Sequence, residues 1–204
     1  MKFVSAVAFV ASALVASSAS AGIVVTSSRA IWNARVASDG LVVETETFNS
    51  IADGYRPAPF TGSTASVNWS AFADGGLYVQ GGVFSTEFPE ALTFSFTPGV
   101  RAVGGNFFGV DADFGTASVF FSVLLSDGTS YEGEASSPAS FTGFRSTTAA
   151  TIASLTINVE NAVGAAAVYP SVDNLYFGVG APLPAPGAMA LLGVAGFVGS
   201  RRRR

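Results

Sequence analysis

The chain has no cysteine, so neither a disulfide nor a thiolate metal site can form. It has no histidine, which removes imidazole metal sites and the usual Ser–His and histidine general-base arrangements. Its single lysine, Lys2, stands at the extreme N-terminus. Setting aside that lysine and four C-terminal arginines, the basic residues are Arg29, Arg35, Arg56, Arg101 and Arg145. Against these five stand fourteen aspartates and glutamates, an excess of nine negative charges. Phosphate binding needs a positive stripe, so the composition argues against a nucleic-acid partner. The acidic balance suits solubility outside a cell and attraction of divalent cations. Internal repeats are not evident.

Two apolar runs frame the chain. Lys2 is followed by thirteen small or apolar residues, Phe3 to Val15, and then by Ala19-Ser20-Ala21. A charged start, a short apolar stretch and an A-x-A site predict a secretory signal peptide over residues 1–21, cut by signal peptidase between Ala21 and Gly22. The alternative is a membrane anchor, for which the run is short. At the other end, Gly187 to Gly199 is thirteen residues without a charge, followed by Arg201, Arg202, Arg203 and Arg204. A bilayer core needs about 20 apolar helical residues, so residues 187–204 predict a short, thin transmembrane helix with its arginines on the cytoplasmic side. Gly193, Gly196 and Gly199 suit close contact with another membrane helix. The alternatives are a buried core helix and a structureless basic tail.

Just before that run come Pro184, Ala185, Pro186 and Gly187. Prolines, short apolar helix and terminal arginine cluster together resemble the PEP-CTERM sorting signal of Gram-negative bacteria. Pro184 and Pro186 match its two prolines, Ala188 to Phe197 its helix and Arg201 to Arg204 its basic end; Ala185 stands where the family usually has Glu. The resemblance implies recognition by an exosortase-like sorting enzyme, transient anchoring in the inner membrane, and a cell-envelope or extracellular destination.

Residues 22–179 are one domain's worth of chain, and 180–186 read as a Pro-rich linker. Eighteen phenylalanines in short periodic runs point to β structure. Ser28 predicts a helix cap, with Ala30, Ile31, Ala34 and Val36 on the apolar side. Strands are expected at 41–48, 65–69, 77–83, 91–97, 100–108, 119–125, 129–133, 140–145, 151–159 and 172–178, with 49–62 as loop. Leu92, Phe94 and Phe96 alternate most clearly. Gly104-Gly105 suggests a bulge or close approach, and the broken alternation of Ile152, Leu155 and Ile157 a second bulge. Val119 to Leu125 reads as a fully covered strand. Asp127-Gly128 reads as a hairpin turn. The expected fold is an all-β antiparallel sandwich of jelly-roll type.

Four constellations carry candidate chemistry. Asp111 and Asp113 are a Ca²⁺ pair or a solvated turn. Glu46 and Asn49 near the first long strand, with Asp173 and Asn174 in the last, look like extracellular jelly-roll modules; that resemblance implies a structural Ca²⁺ site at Glu46, Asn49 and Asp173, the alternative being turn and edge hydrogen bonds. Glu44, Glu46, Glu132 and Glu134 are the carboxylates that a polysaccharide-acting enzyme would have to pair across a cleft. Trp32, Trp69, Tyr55, Tyr78 and Tyr131 are either core or sugar-stacking, with Tyr55 and Trp69 the expected exposed pair. The early Ser28-Arg29-Ala30-Ile31-Trp32-Asn33-Ala34, Phe48, Ala102-Val103-Gly104-Gly105 and the late Val172-Asp173-Asn174-Leu175 are similar to the globular parts of PEP-CTERM proteins. That resemblance implies an exported, non-catalytic surface or matrix protein. A carbohydrate-binding module and a polysaccharide-acting enzyme are the alternatives, both implying an extracellular polysaccharide as partner.

Overall fold

The computed structural model describes residues 22–111, 113, 115–134, 140–159 and 167–180. The expected signal segment, the motif at Pro184–Gly187, the apolar run and the terminal arginines lie outside them. Among the described residues no helix is long and apolar enough to cross a membrane.

The first half of the chain forms β1 (Ile23–Thr26), α1 (Arg29–Ser38), β2 (Leu41–Glu46), β3 (Gly54–Arg56), β4 (Phe60–Ser63), β5 (Asn68–Phe72), β6 (Leu77–Gln80), β7 (Val83–Thr86) and β8 (Leu92–Phe96). The second half forms β9 (Val100–Asp111), β10 (Thr116–Ala117), β11 (Phe120–Leu125), β12 (Ser130–Glu134), β13 (Phe141–Ser146), β14 (Ile152–Asn158) and β15 (Val168–Gly180). One sheet, here sheet A, runs β1-β13-β9-β15-β7-β6-β3, with β10 beside β9 and β2 beside β15. Sheet B runs β12-β11-β14-β8-β5-β4. All the pairings are antiparallel.

From Val83 onward the pairing is nested. β7 pairs with β15, β8 with β14, β9 with β13, and β11 with β12. The chain therefore doubles back as one long hairpin that is rolled into two layers, the path of a jelly roll. Its tip is the expected Asp127-Gly128 turn. Gly128 has φ 85° there, and Asp127 accepts from the Thr129 amide at 2.9 Å. That bond and the Thr129 hydroxyl hold the Asp127 carboxyl below its ordinary range.

The two sheets meet through inward phenylalanines. Phe94, expected on one face with Leu92 and Phe96, stacks near Phe84 of the other sheet at 5.8 Å. Phe107 meets Phe121 at 5.1 Å, and Phe121 meets Phe144 at 5.0 Å. Such pairs add about 0.5–1.5 kcal/mol each beyond area burial. β2 reaches sheet B differently. Glu44 accepts from Ser66 N at 3.0 Å and from the hydroxyls of Thr64 and Ser66, tying the sheet A strand to the β4–β5 turn. Burial pushes the Glu44 carboxyl up, but the Ser66 and Thr64 bonds outweigh it and hold the group below its ordinary value.

Helix α1 lies on the outer face of sheet A. Ser28 caps it as expected, accepting from Ile31 N at 3.5 Å. Val36 is buried as expected, but the rest of the apolar side differs: Ala30 and Ala34 are exposed and Ile31 is 55% exposed, while Trp32, one turn from Val36, joins it against Leu41, Ala102, Phe141 and Tyr176. The sheet offers them a glycine bed. A Cβ on Gly143 would overlap the Trp32 indole, and one on Gly178 would stand 2.8 Å from the Ala102 Cβ and 3.1 Å from Val36. Arg145 closes the helix's far end with an ion pair to Asp39 at 2.7 Å.

Three other expectations are corrected. Residues 49–62 are not simply loop; they hold the short strands β3 and β4. β11 is not covered on both faces: Phe121, Val123 and Leu125 are buried, but Leu124 is exposed. The last strand starts earlier, at Val168, and it carries the bulge suspected at Gly104-Gly105. Asp173 faces Asn106 and Leu175 faces Gly105, which leaves Asn174 extra, with φ 59°. The bulge expected in β14 is present where Leu124 faces Ser154 and Leu125 faces Ile152.

Candidate carbohydrate-binding groove

α1 covers only part of sheet A's outer face. Residues directly opposite one another in antiparallel strands project to the same side. Tyr55 faces Tyr78, Tyr78 faces Ser85, Ser85 faces Ser171, and Ser171 faces Phe108. The core holds the alternate residues Val79, Phe84, Val172 and Phe107, so this row points outward. The uncovered part forms an open groove of about 640 Å³. Its rings are Tyr78, Phe108 and Tyr169, and its polar lining includes Gln80, Glu87 and Asp111. Between the rings lie Ser85, half-buried, and Ser171, wholly buried. Ser171 donates to Ser85 Oγ at 2.9 Å, and Ser85 to the Pro170 carbonyl at 3.2 Å. A face with rings beside polar side chains such as Gln80, Ser85 and Glu87 can stack on sugar rings while hydrogen-bonding their edges.

A second depression, about 680 Å³, lies over β4, β5 and β8 of sheet B. It offers Ser63, Asn68, Ser70 and Ser95, but its rings, Trp69 and Phe96, belong to the core or pack against it. The rings of the sheet A groove, by contrast, stand outside the core clusters.

The aromatics proposed from sequence separate cleanly. Tyr55 is 52% and Tyr78 39% exposed. Trp69, expected to be exposed, is 2% exposed. It faces Gly62 across β4–β5, and a Cβ on Gly62 would overlap its indole. Trp69 packs edge-on to Phe48 and Phe84, so hydrophobic burial won over its position beside a loop. Trp32 is buried under α1, and Tyr131 packs against Phe144 at 5.9 Å. Phe108, Tyr169 and Glu87 were not singled out by the sequence. Pro170 breaks the strand pattern around Tyr169, yet it sits where β15 is bonded to β9 just beyond its stretch paired with β7. The outward spacing of Tyr169, Ser171 and Asp173 was the available signal.

The carboxylates are dispersed. Glu44 serves the β4–β5 turn, while Glu132 and Glu134 are exposed on β12 of the other sheet. Asp111 Oδ1 accepts from Asp113 N at 3.0 Å and Gly115 N at 2.7 Å, which organises the turn between β9 and β10. Glu46, Asn49 and Asp173 come to one junction, where β15 leaves β7 and joins β2. Glu46 faces Leu175, and Asp173 faces Val83 and Asn106. Asn49 Oδ1 fills the space a Cβ on Gly82 would need. Glu46 accepts from Phe48 N at 2.8 Å, and Asp173 from the Asn174 amide at 2.7 Å. Among the described residues no three Asp or Glu side chains gather into a metal-binding cluster. The carbonyl of Gly22, expected to follow the signal cleavage, accepts from Thr147 N at 2.8 Å.

No protein-family model matches the chain, and no curated protein matches it. Among solved structures it is similar to a mutant of CBM29-2, from a study of ligand recognition by family 29 carbohydrate-binding modules. The two share 11% identity with a TM-score of 0.37, over 71% of this chain and 99% of that one. A likeness this slight says nothing about what this chain binds.

Proposed function

We propose that this chain is an exported, non-catalytic surface or matrix protein whose sheet A groove holds a polysaccharide. The observation that carries the reading is the exposed ring of Tyr78 on one outward row with Ser85, Ser171 and Phe108, beside Tyr169. Stacking on one ring is worth about 0.5–1.5 kcal/mol, so Tyr78→Ala weakens polysaccharide binding roughly threefold to tenfold, and Tyr78→Ala with Tyr169→Ala removes most of it. Affinity electrophoresis in polysaccharide gels measures this. Unchanged retardation of the folded double variant overturns the assignment to this groove. The ties of Asp111 to two backbone amides support a turn-forming carboxylate rather than an acid–base one.

The sorting reading rests on the residues at Pro184–Gly187, the apolar run and Arg201–Arg204, together with the signal-like start. Truncation before Leu183 is expected to release the protein from the membrane fraction. Equal membrane retention of full-length and truncated chains refutes the sorting role.

A structural Ca²⁺ at Glu46, Asn49 and Asp173 is supported by the pairing of Glu46 with Leu175 and of Asp173 with Val83, and by Asn49 Oδ1 lying against Gly82 next to Val83. Holding Ca²⁺ in the folded state alone raises the thermal midpoint by mass action, so a chelator lowers it. An unchanged midpoint removes the ion.

A further inference from the structure

Resting on the polysaccharide reading, we propose that the groove takes the interior of an uncharged polysaccharide chain, laid across β6, β7, β15 and β9, and rejects polyanionic chains. Tyr78 and Phe108 end a row that crosses three gaps between neighbouring strands, Tyr78 to Ser85, Ser85 to Ser171 and Ser171 to Phe108. At roughly 4.8 Å per gap their backbones stand about 14 Å apart, too far for one sugar to touch both. Between them stand two small residues, the half-buried Ser85 and the wholly buried Ser171, so no bulky side chain of the row rises to block a chain. On the β6 side the row continues past the groove to Tyr55, 52% exposed on the outermost strand β3. A track that runs on to the sheet edge accepts a passing chain. A closed end would instead select a chain terminus.

The charge argument is independent of the path. The acidic side chains lining the groove are Glu87 and Asp111, and no arginine lines it. Four of the five arginines in the described part have other partners. Arg145 pairs with Asp39, Arg101 donates to the Thr148 carbonyl at 2.9 Å, Arg56 to the Tyr55 carbonyl at 2.7 Å, and Arg29 lies 4.1 Å over the Tyr176 ring. The fifth, Arg35, is on α1. A uronate, sulfate or phosphate in the groove would lose its water and meet carboxylates with no cation to pair with.

The test uses neutral polysaccharides, each paired with a carboxylated polymer of the same backbone, such as hydroxyethylcellulose with carboxymethylcellulose, and matching oligosaccharides of increasing length. The expected result is at least tenfold tighter binding of the neutral member, a gap that narrows in Glu87→Lys, and affinity that rises from monosaccharide to hexasaccharide. Equal or preferred binding of the charged member overturns the selection against anions. A monosaccharide bound as tightly as the hexasaccharide overturns the interior-chain path. Absence of binding across the whole panel instead sinks the polysaccharide reading on which both rest.

Discussion

Phe48→Ala is expected to lower the free energy of unfolding by about 3–5 kcal/mol, the usual cost of a large aromatic lost from a packed core. Phe48 is wholly buried, with ring centroids 5.1 Å from Phe84, 5.6 Å from Trp69 and 6.4 Å from Phe94. Those three rings come from both sheets, so the gap lies between layers that pair with other strands and cannot easily close. The backbone is committed as well. β2 ends at Glu46, whose carboxylate takes the Phe48 N–H, and Phe48 has φ 57°, which turns its side chain inward. Alanine and phenylalanine share most of the cost of that φ, so the difference between them reports the ring. Urea unfolding at constant slope measures it. A loss under about 1 kcal/mol would mean that the three rings close the gap and that Phe48 is not the plug between the layers.

Gly143→Val is the second large effect, about 3 kcal/mol or more, and even Gly143→Ala carries an informative sign. Replacing a glycine whose backbone suits other residues ordinarily stabilises by about 0.4–1 kcal/mol. Gly143 is in β13 without a positive φ, so that gain is available to it. The Cβ, however, would occupy the Trp32 ring position and come within 2.8 Å of Phe141. Trp32 would have to leave, taking with it the bond from its indole N–H to the Phe144 carbonyl at 3.3 Å and the seat of Val36 beside it. Overpacking costs about 1–3 kcal/mol, and the lost burial of the helix adds to it. Faster amide exchange in residues 29–38 than in β9 and β15 marks a detached helix. A stabilised Gly143→Ala variant would show that the helix seat is loose.

How much of this was legible in the sequence depended on distance along the chain. Ser28, Asp127-Gly128 and the alternation of Leu92, Phe94 and Phe96 declare themselves locally, and each was realised. The same local rules misread 49–62. Its prolines and glycines punctuate turns, but short outer strands tolerate them, and β3 and β4 stand at the edges of the two sheets. Trp32 and Trp69 show the deeper limit. Each is buried because a glycine lies opposite or beneath it, Gly143 and Gly62, more than a hundred residues away in the first case. The groove was hidden for the same reason. Tyr78, Ser85, Ser171 and Phe108 form a row only through strand pairings that no local pattern specifies. The register at the β15 bulge, where Asp173 and Leu175 face Asn106 and Gly105, is likewise set by partners distant in the chain.

Strand β15 gives the molecule a mechanical axis. Its first residues, with Tyr169 and Ser171, line the groove, and at the far end of its thirteen residues it stops at Gly180, from which the chain continues toward the motif at Pro184. That is roughly 40 Å of extended chain. Were a polymer held in the groove and the C-terminus tethered, as proposed above, tension between them would run along this strand. β15 is flanked by β9 on one side and by β7 and then β2 on the other. Antiparallel hydrogen bonds lie across the strand direction, so a pull along it strains many of them at once rather than peeling them one by one. Under such a pull the relevant stability is an unfolding rate, and this geometry makes that rate slow.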